Sequence, residues 1–497
     1  MTKPKLTKGK VLSMINSIQH FNEFGVRDLE KVMMNYSADM TKIAEMVYGV
    51  RDGVIKLGLN IIAEELENYD NYIRESDERK QNWSIVKRDE TTLLTSLGSV
   101  TYHKTLFIHK ETKERTYLLD RFMGIEKHAR MTEDAEAAIL EEAVETSYRK
   151  GGENASISSE CVSKQTVMNK LRELRFPDVA PQECKKTVPY LYIDGDEDHV
   201  ALQYLQQKGD IAGRRRINTA MPQIVYVYEG ITNENGRNEL INVRYFGGLY
   251  EGSNGNEMLW KKVWSYIEES YDVEAIRKIY INGDGATWIK NGTRWISNAK
   301  FVLDKFHMHK YIIGATSHLL DSVEDARNEI YRAIHKRKKW MAEESFEKIL
   351  NVTTGESKRK TVEAAKTYIL GNWTGIMEQV SNKNGNIECS AEGHVSHVYA
   401  DRMSSRPLGW SKEGVEQMAQ LRIYYYNNGN MLDLVRYQNQ PLPVTEEAKP
   451  TLQLHEILRD EERHNKELGK LANMPVCSIL YPQIKKKMQI RHHILGL

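Results

Sequence analysis

At 497 residues the chain is too long for one apolar core, and its length predicts about two to four domains. Its 70 Lys and Arg against 69 Asp and Glu leave a formal net charge of +1, so any nucleic-acid contact must come from local patches rather than a bulk positive field. Cys161, Cys184, Cys389 and Cys477 are scattered with no CxxC pair, which argues against a disulfide scaffold or a zinc ribbon. No run approaches the roughly 18 apolar residues of a membrane span, so the reading is a cytoplasmic protein with no membrane partner.

Taken in chain order, residues 1–90 read as a helical N-terminal region, with apolar residues at three and four spacing (Met33, Ile43, Met46, Val47, Val54, Leu57, Ile61). Residues 91–150 switch to period two and then back to a helix, and Gly98 with Ser99 is the expected turn of a small hairpin. Residues 151–182 outline a helix-turn-helix. Ser163 is the expected N-cap, Val167, Leu171 and Leu174 form the apolar face, and Lys164, Gln165, Thr166 and Asn169 are offered to a DNA major groove. An ordinary capped helix pair is the alternative.

From Val188 the order is three β segments, a helix, a fourth strand, a helix and a fifth strand, the order of a ribonuclease-H-like α/β core over 187–312. KFVLDKFHMHK is read as opening a helix. Residues 313–385 form a helical insertion, too long for an ordinary connection, with Trp340 or Trp373 available to stack an unpaired base. Residues 386–430 return to the core with its last carboxylate, and 431–497 form a C-terminal region ending in the basic tail KKKMQIRHH. Further basic patches are Lys208 to Arg216, which holds Arg214, Arg215 and Arg216, and Arg332 to Lys339.

Two-metal phosphodiester transfer needs three or four converging carboxylates, because hard cations take oxygen ligands. In the ribonuclease-H-like fold these belong on the first strand, at the end of the fourth strand and on a late helix. Asp194, Asp196 and Asp198 alternate, so one strand face holds all three. IYING leads into Asp284, and Gly283 and Gly285 leave room for a ligand. Asp304 and His307, one helical turn apart, can bind a metal, hold a flipped base or hold each other. Glu392 is the candidate final ligand, with Glu388 four residues before it. Arg402 and Arg406, with Ser404 and Ser405, suit phosphate contacts. His394 and His397 receive no role.

The stretches YLYIDGDEDHVALQ, YINGDGATWI, VLDKFHMHKY and SAEGHVSHVYADRMSSRPLGW resemble the bacterial insertion-sequence transposases of the ISLre type, distant relatives of the Mutator-like group. The resemblance implies a DDE transposase whose acidic triad falls on Asp196, Asp284 and Glu392, with Asp194 as the alternative first ligand. It places the Asp-x-x-His element on Asp304 and His307. The implied cofactor is two Mg²⁺ ions, for which Mn²⁺ substitutes. The implied partners are double-stranded DNA, as transposon ends and target, and a second copy of the chain. A catalytically silent DNA-binding derivative and a structure-selective nuclease on the same core are the competing functions.

Overall fold

The segments YLYI, QIVYVY and KIYI place apolar or aromatic residues at successive positions, a pattern that suits strands covered on both faces. In the computed structural model they lie in one five-stranded sheet: β1 (Tyr190–Glu197), β2 (Gln223–Tyr228), β3 (Arg244–Gly248), β4 (Lys278–Gly283) and β5 (Ala299–Leu303). The spatial order is β3-β2-β1-β4-β5. β2 is antiparallel to both β1 and β3, whereas β1, β4 and β5 run parallel. The structure describes residues 16–440 other than 126–128, 159, 179–183, 204–210, 213–214, 217–218, 235, 382–386, 388 and 407.

Alternation gives the sheet two faces of different chemistry. The back face, with Leu191, Ile193, Val225, Val227, Ile279 and Ile281, packs on Leu259, Trp260, Val263 and Ile267 of the helix Gly252–Ser270. On the front face Tyr192 stacks between Tyr228 and Tyr280, at ring separations of 5.4 and 5.7 Å. That tyrosine face is covered by Val398, Tyr399 and Met403 and by Val415, Met418 and Ala419 of the helix Lys412–Tyr426. Each such buried side chain contributes about 1.5–3 kcal/mol, so both layers hold the sheet edge where the acidic residues lie.

KFVLDKFHMHK divides differently from its helical reading. Lys300 to Leu303 belong to β5, and the helix Lys305–Thr316 starts after Asp304. Residues 323–381 form four helices, Val323–His335, Lys339–Val352, Glu356–Gly371 and Trp373–Ser381. Their apolar faces (Ile330, Phe346, Val362, Ile369, Ile376) close on Met308, Ile312 and Ala315 of the helix Lys305–Thr316. Trp373 packs against this cluster, whereas Trp340 is exposed.

In the N-terminal part, the helices Val26–Ala38 and Ile43–Glu75 precede a hairpin of Trp83–Thr95 and Gly98–His109. The first strand therefore begins before residue 90. Thr95 pairs with Gly98, so the turn lies at Ser96 and Leu97 rather than at Gly98 and Ser99. The Thr95 hydroxyl accepts from the Leu97 and Gly98 amides, and Gly98 takes φ 143°, where a side chain is strained. Residues 441–497, including the basic tail, lie outside the described residues. Among the described residues no helix is long and apolar enough to cross a membrane.

Candidate active site

The register of the parallel strands builds the site. Asn282 of β4 lies opposite Asp194 of β1, and two residues further on the strand ends carry Asp284 and Asp196. Gly283 lies opposite Leu303 of β5, and the amide of the next residue, Asp304, donates to the Gly283 carbonyl at 2.9 Å. Asp196, Asp284 and Asp304 thus mark the carboxyl ends of three adjacent parallel strands, the edge at which open α/β sheets present ligand sites.

These groups feel one another. Burial pushes the Asp196 carboxyl up to about 6; the Asp284 charge adds to the rise, while the Glu197 amide and His307 oppose it. Asp304 caps its helix, accepting from the Phe306 and His307 amides at 3.1 and 3.3 Å, and its Oδ2 lies 2.8 Å from His307 Nδ1. Burial works against the Asp304 anion, but these hydrogen bonds hold its carboxyl below the usual range. His307 is raised, chiefly by its hydrogen bond to Asp304, with burial opposing and the charges of Asp304, Asp284 and Asp196 adding.

The three alternating aspartates have different surroundings. Asp194 is fully buried and accepts from Asn282 Nδ2 (2.7 Å), Tyr226 Oη (2.8 Å), the Ser390 amide (2.9 Å) and Tyr228 Oη (3.2 Å). Burial still raises its carboxyl, with those donors opposing. Asp198 leaves the common face, because β1 ends at Glu197. Its Oδ1 accepts from the His199 amide and from the Ser404 hydroxyl at 2.8 and 2.9 Å. The glycines flanking Asp284 serve packing rather than ligand access. A Cβ on Gly283 would meet Ile289 at 2.8 Å, and Gly285, at φ 95°, lies against Asn372.

Glu392 is exposed, on a helix that starts at Ala391 and widens by a π-turn over Ser396–Ala400. The start of that helix is tied to Asp194 through Ser390. Burial raises the neighbouring Cys389 thiol, and the charges of Asp194, Asp304 and Asp196 add to the rise. Glu388 lies outside the described residues. Among the described residues no three His, Cys, Asp or Glu side chains form a ready-made metal cage.

Arg402 requires a correction. It is 6% exposed, lies over Trp410 and Tyr148 at 4.9 and 5.4 Å from their ring centres, and donates to the Ala143 carbonyl at 3.1 Å. Its guanidinium braces the protein and is not offered to a phosphate. Arg406 is exposed. His394 is a half-buried packing residue, 2.8 Å from Tyr245 Oη, and its partial burial lowers it to about 4.

Ser163 caps the helix Lys164–Glu173 through the Thr166 amide, and Val167 and Leu171 are buried. The preceding helix, Tyr148–Glu153, is ten residues away (154–163) rather than one tight turn. Lys164, Gln165 and Asn169 are exposed, Thr166 is half-buried, and Gln165 Nε2 donates to Asn169 Oδ1 at 2.9 Å. Leu171 and Leu174 share an apolar cluster with Tyr192 and Tyr226 of the sheet. Arg215 and Arg216 form a short strand opposite Ile211–Ala212, while Arg214 lies outside the described residues. Sequence reasoning missed Asn282, Tyr226, Tyr228 and Ser390 as partners of Asp194, and Tyr368, whose hydroxyl donates to the Asp284 carbonyl. Only Asn282, two residues before Asp284 in IYING, carried a signal.

Fold and site define a mixed α/β protein with an acidic cluster at the carboxyl ends of parallel strands. Over residues 37–441 the chain matches the family described as "Uncharacterised protein family (UPF0236)", and it belongs to that family. A UPF0236 protein of Caldanaerobacter subterraneus subsp. tengcongensis is 38% identical over 407 residues, spanning 81% of this chain and 82% of the relative. The UPF0236 protein in the vanSb 3′ region of Streptococcus gallolyticus is 22% identical over 377 residues, spanning 71% and 78%. Among solved structures, the Drosophila P element transposase strand transfer complex overlaps with a TM-score of 0.22 at 10% identity, covering 64% of this chain and 83% of that one. That overlap is too loose to argue from.

Proposed function

We propose that the chain is a DDE-type DNA transposase of the ISLre type on a ribonuclease-H-like core, an endonuclease and strand transferase acting on transposon ends and target DNA. The observation that carries the reading is the row of Asp196, Asp284 and Asp304 on adjacent parallel strand ends. The chain order of three strands, helix, strand and strand, followed by a helical insertion, supports it. So does the name of one relative, which covers eleven loci of a single genome, as expected of a gene that multiplies within its host.

Asp196 and Asp284 offer hard oxygen donors of the kind Mg²⁺ and Mn²⁺ take. The repulsion between them is what a cation would relieve. Asp196 is preferred to Asp194 as first ligand because donors from four residues already engage the Asp194 carboxylate. Glu392, on a helix anchored to Asp194, is the proposed third ligand. A bound pair of such ions supplies water activation and stabilisation of the attacking and leaving oxygens. His307 commits Nδ1 to Asp304, which leaves Nε2 to meet a substrate oxygen. Lys164, Gln165, Thr166 and Asn169 are proposed to contact the transposon end, Arg406 a phosphate, and the working unit is proposed to hold at least two copies.

The test is Asp284→Asn, a nearly isosteric change that removes the charge. Cleavage of transposon-end DNA in Mg²⁺ should fall to background while folding and end binding persist. Near-wild-type nicking by the variant would overturn the assignment, and a wild-type protein that binds ends but cuts in neither Mg²⁺ nor Mn²⁺ would leave only a DNA-binding protein.

A further inference from the structure

Beyond Asp284 the protein opens into a groove of about 1080 Å³ between the helices Lys305–Thr316 and Glu356–Gly371. His307, Lys310 and Tyr311 line one wall, and Ser357, Lys360 and Thr361 line the other. Both sets follow helical spacings of three and four, so each lies on one face of its helix. Resting on the function proposed above, we infer that this groove seats a single strand of DNA running to or from Asp284, gripped by its phosphates without regard to sequence.

The chemistry of the walls suits a phosphodiester chain. Lys310 is exposed, and no ion pair engages it among the described residues. Lys360 pairs with Glu356 of the same wall at 2.6 Å, but the two side chains are 71% and 83% exposed, so the pair is weak and yields to a phosphate. Ser357 adds a hydroxyl of the kind that commonly contacts backbone phosphates, while the Thr361 hydroxyl already donates to the Ser357 carbonyl at 3.1 Å. The inner end is fixed in place: Tyr311 stacks on Tyr368 at 3.8 Å, and the Tyr368 hydroxyl donates to the Asp284 carbonyl. From Ser357 to Tyr368 the helix rises ~16 Å, a wall long enough to lie beside a few nucleotides of a single strand. The helical insertion thereby gains a physical role, because its apolar core sets this second wall beside the strand that carries Asp284.

The experiment compares full-length wild type with the double variant Lys310→Glu/Lys360→Glu. It measures the salt dependence of binding to a labelled single-stranded oligonucleotide, to the same sequence as duplex DNA and as RNA, and Mg²⁺-dependent cleavage of end DNA. Losing two phosphate contacts should flatten the log–log salt slope on single-stranded DNA by roughly 1.4 and cut cleavage at least tenfold, with an unchanged melting temperature. Ala364→Trp, which fills the groove from an exposed position, should weaken single-strand binding while duplex binding stays within twofold. If wild type cleaves and both variants match it in slope and rate, the strand runs elsewhere and the enzymatic reading stands. A slope change confined to duplex or RNA overturns the choice of occupant, and a wild type inert on all three nucleic acids removes the function on which the inference rests.

Discussion

Asp194→Ala should damage the fold far more than the chemistry. Its carboxylate is fully buried and takes hydrogen bonds from β2 (Tyr226, Tyr228), β4 (Asn282) and the start of the helix that carries Glu392 (Ser390). Alanine leaves those donors facing a void. Tyr226 keeps Ser390 Oγ at 2.8 Å, but the Asn282 amide, the Tyr228 hydroxyl and the Ser390 amide lose their acceptor. A buried donor left unpaired costs about 1–3 kcal/mol, so three of them, partly relaxed, amount to roughly 3–5 kcal/mol. Against a typical total of about 5–15 kcal/mol, that is a large fraction. Urea unfolding followed by circular dichroism should show a midpoint lower by roughly 1 M or more, and end cleavage measured at low temperature, where the variant stays folded, should persist. An unchanged midpoint with complete loss of cleavage would refute the reasoning and make Asp194 the metal ligand in place of Asp196.

Glu392→Gln should abolish both cleavage of uncut ends and joining of pre-cut ends while leaving the melting temperature unchanged, because the side chain is exposed; full activity in both assays would remove it from the ligand set. Arg402→Ala should cost about 3 kcal/mol from its lost contacts with Tyr148, Trp410 and Ala143 and leave the salt dependence of DNA binding unchanged. Arg406→Ala should do the reverse, with unaltered stability and a salt slope flatter by roughly 0.9. Equal effects of the two changes on DNA binding would show that Arg402 reaches the phosphate after all.

Asp196 and Asp284 were legible at their strand ends because they rest on local signals, whereas Asp304 was legible only as a partner of His307, since the apolar run before it was read with the helix and not as β5. Period-two alternation ends in an aspartate at β1, an apolar run meets Asp-Gly after β4, and a capping aspartate with a histidine three residues on opens the helix after β5. Ser163 was legible as a cap for the same reason, but the length of the connection before it was not, since nothing local distinguishes a tight turn from a ten-residue link. Alternation also names a face without naming a depth. It put Asp194, Asp196 and Asp198 on one side, while the partners that separate them arrive from as far as 196 residues away, at Ser390, and 206 residues away, at Ser404. Arg402 makes the same point from the opposite sign, since a spacing that suits a phosphate fork also suits a brace whose acceptor, the Ala143 carbonyl, lies 259 residues away. Type and spacing therefore identify a charged group worth asking about, and whether that group faces substrate or core is decided by what the rest of the chain packs against it. Asp194 and Arg402 occupy positions that chemistry would favour, yet each is saturated by protein partners. The groups left with unbalanced surroundings are Asp196, held up to about 6, and His307, raised among three carboxylates, and under the function we propose these are the ones that a metal and a phosphate would complete.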